Sequence, residues 1–213
     1  MLFRSDALRD VWALCQRRLA MAADREGVAW ATVFKNSGAR AGASLEHVHS
    51  QIVGLDVVPP AIRVETAGIR RDPDTFSRLI ETARVAGRII AERDGVVMLV
   101  PPAPRQPFET WLITAFPEAH VHTLSTSRVA AVADLTQDLI RRLERVAPGC
   151  HYNWWLHQAP FTSVGSSATG IENWHWHLEI VPRLSPFAGF ELGTGCHITT
   201  MSPAESARRL REA

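Results

Sequence analysis

Three His-x-His pairs set this sequence apart and restrict the strands that it can form. They are His47/His49, His120/His122 and His175/His177, among nine histidines in 213 residues. Only about 0.4 such pairs would be expected by chance at this histidine frequency. Residues i and i+2 of a β-strand point to the same face, so a pair that lies in a strand presents two imidazoles side by side. That arrangement suits metal binding or histidine chemistry on phosphates.

Composition excludes several other classes of protein. Basic and acidic residues nearly balance, at 23 and 22, so no charged field points to nucleic acid or to an anionic membrane. Cys15, Cys150 and Cys196 are too scattered for a disulfide framework or a zinc knuckle. The N-terminal segment carries charges throughout, which favours an amphipathic helix over a secretory signal. The sequence therefore predicts a soluble, cytoplasmic protein with reduced cysteines and no membrane span.

Hydrophobic periodicity predicts an α+β fold, with a sheet and helices on one of its faces. Helices are expected at 6–24, 74–87, 126–147 and 202–213. Strands are expected at 28–34, 47–58, 88–92, 96–101, 108–115, 152–160, 174–182 and near 189–199. The polar, glycine-rich stretch 162–173 is expected to be a mobile loop. A helix followed by two strands, the second of which bears His-x-His, occurs twice and indicates an internal duplication.

The first His-x-His pair follows a segment rich in small residues, GARAGASLE. In a strand, His47, His49 and Gln51 would share one face. The glycine-rich segment would offer free backbone N–H groups to a phosphate. A histidine beside such a loop can act as a nucleophile, a general acid or a metal ligand. The alternative is a polar strand face on the surface, and the residues alone leave both open.

The last pair predicts a metal site. His175 and His177 share a strand face, and His157 lies on a probable neighbouring strand. Three imidazoles and a carboxylate would complete a tetrahedral set, and Glu179 is the carboxylate nearest in sequence. The alternative is that these histidines have a structural role, with their hydrogen bonds made inside the protein among the tryptophans of these strands. His120 and His122 follow Pro117 in a loop-like stretch and receive no functional assignment.

The same segments carry a family resemblance. The stretch FKNSGARAGASLEHVHSQI contains F-x-N-x-G, G-x-S and H-x-H-x-Q, formed by Phe34, Asn36, Gly38, Gly42, Ser44, His47, His49 and Gln51. Together with P-F-E-T (107–110), H-x-A-P-F (157–161) and WHWHLEIVPRL (174–184), it resembles the galactose-1-phosphate uridylyltransferases of the histidine-triad superfamily. The tail GFELGTG (189–195) is similar to the branch of nucleoside-diphosphate-sugar phosphorylases.

The resemblance implies a histidine-triad-like antiparallel sheet, with a partial first unit at 1–65 and a complete second unit at 66–213. It also implies nucleotidyl transfer between a nucleoside-diphosphate sugar and a phosphate acceptor. His49 would be the nucleophile and Gln51 would stabilise phosphate charge, with His47 beside them in the catalytic set. The residues implied to bind substrate are Asn36, Gly42, Ser44 and Glu191.

A structural zinc or iron is implied as well. The family ligands correspond to Glu65, His157, His175 and His177, so the resemblance replaces Glu179 by Glu65 as the expected carboxylate. Many members have a second zinc site, of which His47 would be one ligand. No cysteines stand at a suitable spacing for the others, so that site is not expected here.

The resemblance finally implies a partner, because family members have a longer N-terminal half that supplies the first strands. Without those strands the sheet would have an open edge. A separate polypeptide or a second copy of the chain would then complete the sheet, as a heteromer or a homodimer. The alternatives to a transferase are a metal-stapled binding module on the same fold and a nucleotide hydrolase of the superfamily.

Overall fold

A seven-stranded antiparallel sheet organises the computed structural model, which describes residues 5–44, 47–161 and 171–213. The strand order across the sheet is β2-β1-β6-β7-β5-β4-β3. The strands are β1 (Trp30–Ser37), β2 (Gln51–Leu55), β3 (Ile89–Arg93), β4 (Val96–Leu99), β5 (Thr110–Thr114), β6 (Tyr152–His157) and β7 (His177–Pro182). The predicted α+β class is confirmed. Most of the expected mobile loop, residues 162–170, lies outside the described residues.

Helices cover both faces of the sheet, whereas the sequence pattern predicted helices on one face. They are α1 (Ser5–Ala23), α2 (Pro60–Arg71), α3 (Thr75–Val85), α4 (Thr126–Val146), α5 (Gly189–Thr194) and α6 (Pro203–Glu212). Along β4, Val96 and Met98 join the core beneath α1, α4 and α6. Val97 and Leu99 join a second core beneath α2 and α3. A strand that reads as one continuous apolar run needs cover on both sides.

Helix α2 was not predicted, because Pro59 and Pro60 were interpreted only as the end of a strand. Pro60 occupies the first turn of the helix, where a missing N–H costs nothing and a fixed φ favours the helix. Ile62, Thr66 and Ile69 then fall on one buried stripe. The helix carries Glu65, the carboxylate that the family resemblance predicts as a metal ligand.

The strand predicted near 189–199 is wrong, since residues 189–194 form the short helix α5. The backbone N–H of Ala188 donates to Glu191 Oε2 at 3.0 Å, and Gly195 ends the helix with a φ of 71°. A side chain that satisfies an N-terminal N–H and a glycine in the left-handed conformation are the usual start and stop of a helix. The predicted boundaries of α1, α4 and α6 agree with the structure to about one residue.

Two helix–strand–strand segments of the predicted order lie side by side, although β2 begins after His49 and β7 begins at His177. The first is α1-β1-β2 and the second is α4-β6-β7, and β1 pairs with β6 through Phe34 and Trp155. Trp12 of α1 stacks on Trp154 of β6, with ring centroids 5.6 Å apart. The strands of both segments belong to one sheet, and the division at residue 65 stays a prediction. Within the described residues, no helix has the length and apolar character of a membrane span.

Candidate active site and metal centre

The predicted nucleophile segment lies at one end of the sheet, between β1 and the edge strand β2. Residues 47–50 have no regular secondary structure, and β2 begins at Gln51, so the strand predicted over 47–58 is shorter than expected. His49 is half-buried, whereas His47 and Gln51 are exposed. The alternation of a single strand therefore does not fix the relative direction of these three side chains.

One hydrogen bond fixes the tautomer of His49. Its Nδ1 lies 2.9 Å from the backbone oxygen of His47. A carbonyl oxygen can only accept, so Nδ1 carries the proton and the lone pair of the neutral ring is on Nε2. This is the form in which an imidazole can act as a nucleophile.

The buried side chain of Lys35 forms a hydrogen bond with the backbone of the same segment. This side chain is 7% exposed, and Nζ donates to the backbone oxygen of His49 at 3.1 Å. Burial lowers the pKa of Lys35. The sequence analysis gave this residue, the chain's single lysine, no role. Its signal was its place two residues after Val33 in β1, on the strand face that is otherwise apolar.

The glycine-rich loop differs from the phosphate cradle that the sequence predicted. Backbone N–H groups within the loop donate to carbonyl oxygens of Gly38 and Ala39, and these donors are Ala41, Gly42 and Ala43. The N–H of Arg40 donates to Nδ1 of His151 at 2.8 Å. Four N–H groups expected to be free are therefore already used, because the loop closes on itself as a tight turn with Gly42 left-handed at φ 77°.

Side chains would therefore have to replace these four N–H groups at a phosphate. Asn36 is half-buried at the end of β1, and Ser44 is exposed beyond the loop. His49 lies on the wall of a groove of about 1210 Å³ between α1 and β2, together with Lys35 and Ile52. Glu191 belongs to α5, and its carboxylate is engaged with the N-terminus of its own helix. No contact described in the structure joins Glu191 to the His49 segment.

A second cluster, the histidine–carboxylate group, lies at the far end of β6. It consists of Glu65 from α2, His157 from β6, and His177 and Glu179 from β7, and its ligand atoms all lie within 4.8 Å of one another. Glu65 Oε1 is 2.8 Å from His157 Nδ1, and Glu179 Oε1 is 3.3 Å from the same nitrogen. The structure thus brings together three of the four predicted ligands and adds Glu179.

The chemistry of this group fits a divalent cation. His177 Nδ1 donates to the backbone oxygen of His175 at 3.1 Å, so the lone pair of the neutral ring is on Nε2, which is buried and has no hydrogen-bond partner. That nitrogen lies 3.5 Å from Glu179 Oε1. Burial alone would raise the pKa of Glu179, but His177 and His157, when protonated, together with Arg105 outweigh burial and lower it to about 2. Glu179 is therefore anionic, and a metal ion bound to the neutral histidines would take the place of their protons. A lone pair and anionic oxygens facing one another are stabilised by a cation between them.

His175 is placed next to the group but outside it. Its Nδ1 lies 2.8 Å from the backbone oxygen of Thr114, and its Nε2 is buried without a hydrogen-bond partner. The ring of Phe76 packs against both histidines, with its centroid 5.6 Å from that of His175 and 5.3 Å from that of His177. His175 as a metal ligand stays a prediction.

Arg105 and Glu109 hold Glu179 in place, and sequence reasoning did not find them. Arg105 forms ion pairs with the buried carboxylates of Glu109 and Glu179. Its guanidinium also lies over the ring of Trp155, 4.9 Å from the ring centroid. Glu109 stands in the P-F-E-T segment, whose only use in the sequence analysis was as a family motif. Buried carboxylates of this kind orient metal ligands and exclude water from them.

The sheet and these two clusters define a class of protein. A half-buried histidine with its Nδ1 hydrogen-bonded to a carbonyl follows a glycine-rich turn, and a histidine–carboxylate group lies on the same sheet. The resemblance of the sequence to the galactose-1-phosphate uridylyltransferases implies both features. Within that class, the chain belongs to the family described as domain of unknown function DUF4921, whose model matches residues 8–213.

Individual relatives agree with this placement. An ADP-glucose phosphorylase of Arabidopsis thaliana is 31% identical over 204 residues, which are 95% of this chain and 57% of that protein. A galactose-1-phosphate uridylyltransferase of Thermotoga maritima is 27% identical over an alignment 221 residues long, gaps included, which covers 97% of this chain and 66% of the relative. A crystal structure of an Arabidopsis thaliana ADP-glucose phosphorylase with bound ADP-glucose has a TM-score of 0.89 and 29% identity. The structural match covers 99% of this chain and 68% of the phosphorylase chain.

The resemblance to the uridylyltransferases and to the phosphorylase branch is therefore confirmed. The chain spans 57% and 66% of the lengths of the two curated relatives.

Proposed function

We propose that this chain catalyses nucleotidyl transfer between a nucleoside-diphosphate sugar and a phosphate acceptor, either a hexose 1-phosphate or inorganic phosphate. The observation that carries the proposal is the 2.9 Å contact between His49 Nδ1 and the His47 carbonyl, which leaves the Nε2 lone pair for attack on phosphorus. The relatives are consistent with it, since they are named as a phosphorylase of ADP-glucose and a uridylyltransferase of galactose 1-phosphate.

The reaction would take place in two displacements on the α-phosphorus. In the first, His49 Nε2 forms a P–N bond, and the P–O bond to the β-phosphate breaks, so the sugar 1-phosphate leaves with the electron pair. In the second, an oxygen of the acceptor phosphate attacks, and the P–N bond breaks. Since Nδ1 keeps its proton, the imidazole ring of the intermediate is cationic. It therefore leaves readily, as the neutral imidazole of His49.

The remaining predicted residues would bind the substrate. Gln51 would donate to a non-bridging phosphate oxygen, which is a neutral form of charge stabilisation. Asn36 and Ser44 would contact phosphate with their side chains, and Gly42 would keep the turn compact. Glu191 would contact sugar hydroxyls after leaving the end of α5. His47 contributes its backbone oxygen as the acceptor from His49.

A zinc or iron ion would stabilise the fold from the histidine–carboxylate group. Glu65, His157 and His177 are the proposed core of the ligand set, with Glu179 inside the group and His175 as the predicted neighbour. His157 lies four positions after Asn153, which is near the other end of β6. At about 3.3 Å per residue, the ion would lie about 13 Å along the strand from the loop end of the sheet. That separation favours a structural role for the metal.

Assembly is part of the proposal, because the groove beside His49 is open along β2. Val48, Ile52 and Val53 are exposed there by 47%, 37% and 39%, and β2 is an edge of the sheet. An added strand from a second copy or from another polypeptide would cover these side chains and complete the backbone pairing. We also propose that the protein is cytoplasmic.

Labelling of the intermediate tests the proposal. The protein is incubated with ADP-glucose or UDP-glucose labelled at the α-phosphate, and acid-labile, alkali-stable label is expected on His49. His49→Ala should carry none, whereas His122→Gln, which lies outside the site, should be labelled like the parent chain. No label from either donor would contradict transfer. Nucleotide binding that survives His49→Ala unchanged, in a chain that takes no label, would support the binding-module alternative.

A further inference from the structure

Two residues near the start of β6 form hydrogen bonds with the glycine-rich loop and with the end of β1. Asn153 Nδ2 lies 2.7 Å from Asn36 Oδ1 and 2.8 Å from the backbone oxygen of Ala41. Just before the strand, His151 Nδ1 accepts from the N–H of Arg40 at 2.8 Å. The end of β1 and the middle of the loop are thus held by residues more than a hundred positions away in sequence.

These contacts determine which way both asparagine amides point. A backbone oxygen can only accept, so the Asn153 atom that faces Ala41 must be the NH2 nitrogen. That nitrogen also faces the side chain of Asn36, so the Asn36 atom it meets must be the carbonyl oxygen. The Oδ1 of Asn36 is therefore engaged within the protein, and its Nδ2 is the end of the amide that remains for other partners.

The consequence concerns phosphate binding, because the turn uses up its own backbone donors. With the N–H groups of residues 40–43 satisfied inside the protein, a side-chain donor such as the Asn36 amide can take their place at a non-bridging oxygen. An Asn36 amide with the opposite orientation would present a carbonyl oxygen to the phosphate, and two acceptors repel each other. The orientation of Asn36 therefore decides whether this end of the loop attracts or repels the substrate.

We infer that Asn153 is a positioning residue, which fixes Asn36 as a hydrogen-bond donor to the phosphate of the substrate. The inference rests on the proposed nucleotidyl transfer for the identity of the ligand, but its internal geometry does not depend on that activity. The NH2 group of Asn153 is used by Asn36 and Ala41, so the donor offered to the phosphate is that of Asn36.

Asn153→Asp is the sharpest variant, because it keeps the shape of the side chain and removes both donors. An aspartate at 153 accepts only, so Asn36 has to rotate and present Nδ2 to the protein and Oδ1 to the ligand. The expected result is at least about tenfold weaker binding of ADP-glucose, which corresponds to one lost hydrogen bond to a charged group. Asn153→Ser, which keeps one donor, should recover part of the affinity.

A double-mutant cycle separates positioning from a general structural effect. If Asn153 acts through Asn36, then Asn36→Ala combined with Asn153→Ala, which adds no charge near the phosphate, should bind ADP-glucose no more weakly than Asn36→Ala alone. Additive losses would overturn the inference. Thermal unfolding of each variant shows whether the loss arises from unfolding instead.

Nitrogen-15 asparagine labelling observes the amide directly, since the chain contains three asparagines, at positions 36, 153 and 173. The side-chain signal of Asn36 should shift on addition of ADP-glucose, and it should change in Asn153→Asp before any ligand is added. An Asn36 signal that ignores both the ligand and the substitution would overturn the inference. A signal that responds to ADP-glucose in a protein that transfers no nucleotide would support the inference and contradict the proposed function.

Discussion

The carboxylate of Glu65 joins helix α2 to the centre of the sheet. It approaches His157 within 2.8 Å and His177 within 3.9 Å, while its second oxygen is buried without a hydrogen-bond partner. A ligand that links separate elements stabilises the folded state by the free energy of metal binding, because the unfolded chain has no such site.

Glu65→Gln should therefore remove most of the zinc or iron and lower the melting temperature by roughly 5–10 °C. The measurement is metal content per chain by mass spectrometry, with thermal unfolding of the same samples. Glu81→Gln, an exposed carboxylate on the neighbouring helix α3, is the matched control and should change neither quantity. Full metal content in Glu65→Gln would contradict the proposed ligand set.

His120, which has no assigned function, should make the fold sensitive to acid. Burial and the charge of His122 lower its pKa to about 4, although the carbonyls of Pro160 and Ala159 partly offset this. An unfolded histidine takes up a proton near pH 6.5, so below that pH the unfolded state binds more protons and is favoured. The contribution is complete above pH 6.5 and is lost as the pH falls towards 4.

Denaturant unfolding at pH 7.5 and pH 5.0 measures this effect. The wild type should lose about 2 kcal/mol of unfolding free energy over that interval through His120 alone. His120→Gln, which can still donate to the carbonyl of Ala159, should show a correspondingly smaller loss. An equal pH dependence in both proteins would show that His120 is not the group responsible.

Local sequence patterns located the candidate site residues but not their partners. His49, His157 and His177 were found from their spacing, and Glu65 was found from the family resemblance. Asn153 was missed because its partner Asn36 is 117 positions away, and no local pattern reports such a contact. Glu179 was first proposed and then replaced by Glu65, whereas the structure places both carboxylates at the same histidines.

At the scale of elements, the turn after β1 depends on one glycine. Gly38 has a φ of 84°, and a Cβ added there would lie 2.2 Å from Cδ2 of the His151 ring. A side chain at this position would strain the backbone and displace the ring that accepts from Arg40. Gly68, in the middle of α2, has open space around its Cα and an ordinary helical φ.

The two glycines should therefore respond in opposite ways to the same substitution. Gly38→Ala should lower the unfolding free energy by about 1–3 kcal/mol, whereas Gly68→Ala should raise it by up to about 1 kcal/mol. Equilibrium denaturation of both variants beside the wild type measures the difference. A Gly38→Ala protein as stable as the parent would show that the turn tolerates a side chain.

Elements with a clear period and clear ends were predicted, and those that begin in an unusual way were not. Helix α4 shows an amphipathic stripe and is followed by Pro148–Gly149, and its predicted bounds agree with the structure to one residue. Helix α2 follows two prolines, which the sequence analysis interpreted as an end. Helix α5 is short and depends on the side chain of Glu191, which a period-based prediction cannot detect.

On the scale of the whole molecule, the two edges of the sheet are treated differently. At the β3 edge, Arg211 of α6 donates to the backbone oxygens of Gly87 and Ile89 at 2.8 and 2.6 Å. At the β2 edge, the described residues provide no such cover, and Ile52 and Val53 expose 37% and 39% of their surface on opposite faces of the strand. An unprotected apolar edge pairs readily with another strand.

Association across the β2 edge should therefore be the assembly mode of this chain. Ile52→Asp places a charge on the groove side of the strand, where a docked strand would have to bury it at high cost. The wild type is expected to sediment at twice the monomer mass, and Ile52→Asp at the monomer mass. Val85→Asp, on an 83% exposed side chain of α3, should sediment like the wild type. Since His49 lines the same groove, Ile52→Asp should also take up less nucleotide label than Val85→Asp. A wild type that stays monomeric at every concentration would contradict self-association through this edge.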